Sequence, residues 1–200
     1  MGKVGIKTAS FGFIVNLALF FVKFYLGISS NSLSIYCDAV NNLADVFSCA
    51  VVFGGFVLMS KLSEKKGARL QALLSFVISL VVGFTGFAFV YNGTERFLYP
   101  VTVSYSKTFA AVVFATIIVK VIMAAVYFFI HKKSPSPVFK TLILDSVLDS
   151  SVTLMAFLGF SLIEKVNFAV DGIFGIVIGL IVSASAIKTL MEQAKFLIND

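Results

Sequence analysis

The sequence predicts an all-α membrane protein, a bundle of six transmembrane helices, and three features predict it. Hydrophobic residues make up 59% of the 200 and charged residues 13%, with a mean hydropathy of +1.01. A soluble domain of this length would need far more polar surface. Apolar runs long enough to cross a bilayer recur six times along the chain, each near the roughly 20 residues that a helix rising 1.5 Å per residue needs across a core about 30 Å thick. Polar or turn-forming segments separate them: "SSNS", "KLSEKKGAR", "NGTERFLYPVTVSYS", "HKKSPSP" and "EKVN".

The first span covers about 7–28 and contains Lys23. It is too long for the apolar region of a secretory signal and no small-residue cleavage site follows, so it reads as retained. The second, about 34–59, carries Asp38, Asn41 and Asp45 with both cysteines, Cys37 and Cys49, which are expected to pack and not to form a disulfide. The third covers about 70–92. The fourth, about 107–130, holds Lys120 and ends at His131 beside two lysines, where a surface role is expected. The fifth, about 140–163, contains Asp145 and Asp149. The sixth, about 168–190, opens on Asp171, where a carboxylate suits a helix N-terminus. Its "GIFGIVIGL" places Gly175 and Gly179 at the four-residue spacing of close helix packing.

Lys and Arg in the short loops set the orientation. Lys3, Lys7, Lys61, Lys65, Lys66, Arg69, Lys132, Lys133, Lys140, Lys188 and Lys195 fall on one side, eleven in all, against Arg96, Lys107 and Lys165 on the other. Both termini are therefore expected in the cytoplasm. The sequence stops about ten residues past the last span, so residues 1–200 are expected to form a single transmembrane domain with no cytoplasmic C-terminal domain. The basic loops hold orientation and touch anionic lipid, and nucleic acid is not needed to explain them. No phosphate-cradling glycine loop, nucleotide motif or nucleophile–histidine pair is present, which leaves ATP-driven transport and an enzyme without support.

Four of the ten acidic residues lie inside spans: Asp38, Asp45, Asp145 and Asp149. An aspartate at the centre of a membrane helix costs about 2.5–3.5 kcal/mol on insertion scales. Asn41 and Asp45 are four apart and share a helical face, as do Asp145 and Asp149. If the two faces meet, four oxygen-bearing side chains form a cage of hard ligands for a divalent cation. The insertion cost is then offset by metal or by protons filling the site. A single aspartate could equally be a helix–helix contact, or pair with Lys23 or Lys120. Two pairs in separate spans favour a cation site. Lys23 and Lys120 are expected to snorkel or to pair with an acid; Asp38 and Asp171 are gate or packing candidates.

The chain resembles the cation diffusion facilitators, a family of proton-coupled divalent metal exporters. Asn16, Lys23 and Gly27 in the first span and "SNSLSIYCDAVNNLADVFS" in the second carry the likeness, continued by "GTERFLYPVTV", "DSVLDSSVTL" and "VDGIFGIVIGLIVS". The resemblance implies metal ligands at Asn41, Asp45, Asp145 and Asp149, with Asp38, Lys23 and Asp171 as accessory or gate candidates. It also implies six helices, a homodimer held by membrane helices, and alternating access in which metal leaves the cytosol as protons enter. Zinc-selective members carry a histidine where this chain has Asp145. An all-oxygen site favours Mn2+, while Zn2+, Fe2+ and Co2+ are also accommodated. "KLSEKKGARLQ" lacks the histidines of the family's loop site. A transporter in the plasma (inner) membrane of a prokaryote is the expected setting, with no cofactor beyond the transported ion. The alternative is a non-transporting partner of a full-length transporter subunit.

Overall fold

The computed structural model describes residues 2–58, 64–133, 137–163, 166 and 169–199. These residues form six helices and no strand: α1 (Gly2–Ser30), α2 (Leu33–Leu58), α3 (Glu64–Leu98), α4 (Lys107–Lys133), α5 (Pro137–Leu162) and α6 (Val170–Asn199). Five of them, all but α2, are long and apolar enough over their described residues to cross a membrane. The exception, at 26 residues, is long enough but carries Asp38, Asn41, Asn42 and Asp45.

Local chemistry sets the breaks. Between α1 and α2 the chain turns through Asn31, whose φ of 57° is tolerable because asparagine visits the left-handed region at low cost. Ser32 then caps α2, its Oγ accepting from the Ile35 N–H three residues on. α5 starts on Pro137, which has no N–H to leave unpaired in a first turn.

Several helices outrun the predicted spans. The polar segment from Asn92 was expected to be loop, yet α3 stays helical to Leu98. Gly93 packs against α6 there, and the first residue able to stop the helix is Pro100. Likewise Glu64–Arg69 belongs to α3, residues 131–133 to α4, and α6 continues to Asn199. Polar flanks do not end a helix when its last turns can reach water. Residues 59 and 168, at predicted span ends, lie outside the described set.

The antiparallel α3–α6 pair makes the most extensive contact in the bundle, followed by α1–α2 and α4–α5. Glycines permit the first. A Cβ on Gly93 would stand 2.8 Å from the Gly172 carbonyl oxygen, and one on Gly179 would stand 2.8 Å from that of Gly86. The small-residue stripe of α6 is thus used within the chain: Gly172 and Gly179 meet α3, whereas Gly175 faces Leu33 of α2. α2 itself lies against α1, α3, α5 and α6.

Burial is inverted relative to a soluble protein. Lys23, Lys120, Asp38 and Asn42 are fully buried, while Phe84 is 74% and Ile14 65% exposed. Water would penalise such an outer surface, and lipid does not. The multi-pass membrane architecture therefore stands on the packing as well as on composition. Cys37 and Cys49 are free and buried, as expected for packing residues.

Candidate functional site

The polar side chains gather where α2, α4 and α5 converge with α1. Asn41 Nδ2 donates to Asp149 Oδ1 at 2.7 Å, joining the two i,i+4 faces. Lys120 Nζ enters from α4 and donates to three acceptors: Asp149 Oδ2 at 2.5 Å, Asp45 Oδ2 at 3.0 Å and Asn16 Oδ1 at 2.7 Å. Asn41, Asp45 and Asp149 are thus within one side-chain cluster, tied through an ammonium. Asp145 lies one turn from Asp149, exposed on the wall of the same cavity and not bonded into the cluster by any of these contacts. Among the described residues no group of three or more His, Cys, Asp or Glu is gathered tightly enough to hold a metal as it stands.

A cavity of about 420 Å³ leads to this cluster. Asn16, Asn41, Asp45 and Asp149 line its inner part, and Asp145 lines it one turn nearer the mouth. Its mouth is drawn from Ser75 near the start of α3, Leu142 near the start of α5, and Thr189, Glu192 and Gln193 near the end of α6. Among the described residues, the lining of this cavity runs toward the end of the bundle where α6 finishes.

Two further polar assemblies lie on the other side of the cluster. Lys23 Nζ stands 2.8 Å from Asp38 Oδ2 and donates to Thr153 Oγ1 at 2.8 Å; Thr153 is also 3.1 Å from Asp38 Oδ1 and 2.9 Å from the Asp149 carbonyl. Both charged side chains of that pair are fully buried. Near the far end, Asp171 accepts from Ser32 Oγ and Ser34 Oγ at 2.7 Å, from the Leu33 N–H at 2.6 Å and from the Ser34 N–H at 3.1 Å. Arg96 adds a contact to Asp171 at 3.2 Å and two to Asn31. Asp171 thus serves the N-terminus of α2 as well as its own helix, fastening α2, α3 and α6 together away from the cavity.

Sequence reasoning left the partners of Lys23 and Lys120 open and passed over Thr153 and Asn42. Asn42 is fully buried, with its side-chain amide donating to the Asp38 carbonyl. A hydroxyl four residues after Asp149 was a weak signal for Thr153; nothing in the sequence signalled that Asn42, and not only Asn41, faces inward.

Such an arrangement, an apolar helical bundle enclosing a carboxylate cluster that a cavity reaches, defines a multi-pass membrane protein with a charged interior site. The family model for the cation efflux transmembrane domain matches residues 10–198, nearly the whole chain, and the chain belongs to that family. Among curated proteins, the uncharacterized transporter MJ0449 of Methanocaldococcus jannaschii is 25% identical over 189 residues. That match takes in 91% of this chain and 66% of the relative's own length.

Proposed function

We propose that this chain exports a divalent metal cation from the cytoplasm in exchange for protons, by alternating access. The cargo ligands are Asn41, Asp45, Asp145 and Asp149, and Mn2+ is the favoured cargo over Zn2+, Fe2+ or Co2+ because every donor is a hard oxygen. The observation that carries this reading is that Asn41, Asp45 and Asp149 meet in one cluster at the head of a cavity which Asp145 also lines.

The excess of basic residues at the ends and loops on the termini side supports both termini in the cytoplasm, and the proposal sets the chain in a prokaryotic inner membrane. The cavity mouth is then cytoplasmic, and the Asp171–Arg96 clasp closes the opposite end. This is an inward-facing state. Metal enters by the cavity and binds the carboxylates; the bundle then rocks to open the far end. Protons compete with metal for the same oxygens, so proton entry is linked to metal release. A homodimer held by membrane helices completes the proposal.

The test is flux through reconstituted vesicles with Mn2+, Zn2+, Fe2+ and Co2+ under an imposed pH gradient. The proposal expects saturable flux that follows the gradient, with Mn2+ best. Asp45→Ala and Asp149→Ala should each lower it by about a hundredfold or more while the protein stays folded. Undiminished flux in either variant removes the assignment. Asn41→Asp adds charge at nearly constant geometry, and should change the order of metals without ending transport.

A specific observation favours the second reading, a non-transporting partner of a full-length subunit. Lys120 already balances Asp45 and Asp149 through two ion pairs. Absence of flux by the purified chain, restored on mixing with a transporting subunit, would select it.

A further inference from the structure

We infer that Lys120 is a tethered cation that holds the cargo position while the site is empty and must leave it for metal to bind. This rests on the transport reading above. Its Nζ has three protons and three acceptors, Asp45, Asp149 and Asn16, so every proton is used in this one place. Two of the acceptors are the carboxylates assigned to metal, contributed by α2 and α5. The ammonium therefore stands between the very oxygens that a dication would bridge.

A metal ion and an ammonium cannot share those oxygens at contact distance, because their charges repel strongly in a low-dielectric interior. Binding is an exchange: one cation arrives and another withdraws. Asn16 Oδ1 supplies an acceptor that is not a proposed metal ligand, and it keeps Nζ from being stranded when the carboxylates are taken. The same exchange frees α4, which Lys120 ties to α2 and α5 across the cluster. Cargo thereby releases a cross-link between helices as it binds, a direct means of coupling occupancy to rearrangement. The device also accounts for how a membrane interior tolerates the empty site: the carboxylates are never without a counter-charge.

A merely structural lysine predicts the opposite sign for metal affinity, and this separates the two roles. Lys120→Met keeps the length of the side chain and removes the charge. Lys120→Arg keeps the charge in a wider, always-protonated group that grips carboxylates in two places. The experiment is equilibrium binding of Mn2+ to the purified full chain in nanodiscs, at fixed pH, alongside thermal unfolding with and without Mn2+. The expected result is that Lys120→Met binds Mn2+ about tenfold tighter than wild type or better, a ratio worth about one decade in Kd. It should also be less stable without metal and gain more from metal on heating. Lys120→Arg should bind about tenfold more weakly, and this arm stands by itself should the methionine variant fail to fold.

Equal or weaker Mn2+ binding by folded Lys120→Met overturns the inference, as does binding at wild-type strength or better by Lys120→Arg. Failure of the transport reading looks different. In that case wild type shows no saturable Mn2+ binding that Asp45→Ala removes, whichever residue stands at position 120.

Discussion

Lys23 and Lys120 are both buried ammoniums paired with aspartates inside the bundle, yet their surroundings differ. Lys23 and Asp38 are both fully enclosed, with Thr153 as their shared neighbour. Lys120 is as deeply enclosed, but its partners are not: Asp45 is 22% and Asp149 9% exposed to the cavity. One pair has no route to an ion from outside, and the other stands at the head of one. On the proposed function, the same pairing chemistry is a fixed pin in the first place and an operable site in the second, and access to the cavity makes the difference.

Removing one partner from each pair should separate them. The largest effect is expected for Lys23→Met, which leaves Asp38 buried with only Thr153 to serve it. Stability measured by thermal or denaturant unfolding in detergent should fall by about 3–5 kcal/mol. The double change Lys23→Met with Asp38→Leu should recover most of that loss, because two apolar groups need no counter-charge. If the single variant is as stable as wild type, the sealed pair is not a pin.

Asp45→Asn should behave otherwise. Lys120 keeps Asp149 and Asn16, and cavity water reaches the substituted side chain, so stability should drop by only about 1 kcal/mol. Metal flux should nevertheless collapse. A loss of stability comparable to that of Lys23→Met would erase the distinction between the two pairs. The smallest effect belongs to the far end of the bundle. Arg96 is 23% exposed where it meets Asp171, and solvent screens such a pair, so Arg96→Ala should cost about 0.5–1 kcal/mol in the same unfolding assay.

Much of this was legible in the sequence, for physical reasons that can be traced to residues. The six helices follow from the length of the apolar runs. Four-residue spacing puts Asn41 with Asp45, and Asp145 with Asp149, on one face of its own helix; that the two faces meet was only a condition in the sequence, and the Asn41–Asp149 hydrogen bond joins them. Four-residue spacing does not fix depth, however. Asp149 is buried and Asp145 exposed, because one helical turn carries the latter toward the cavity mouth. The choice of acid for each lysine was not legible either. It depends on which helices touch: α1 against α2 gives Lys23 its Asp38, and α4 against α5 gives Lys120 its Asp149. The helical continuation through Gly93 and Arg96 was masked by their polar, turn-like context. Asp171 suggested a cap for its own helix, and only the fold reveals that it serves α2 as well.

Metal-loaded protein offers the most direct test of whether the cavity-side pair is the cargo site. Anomalous diffraction at the manganese edge should place one Mn2+ between Asp45 and Asp149, at about 2–2.6 Å from their carboxylate oxygens, the range for hard dications. Lys120 Nζ should have withdrawn from both. A manganese peak elsewhere in the bundle, with Lys120 still bridging the two aspartates, would contradict the account.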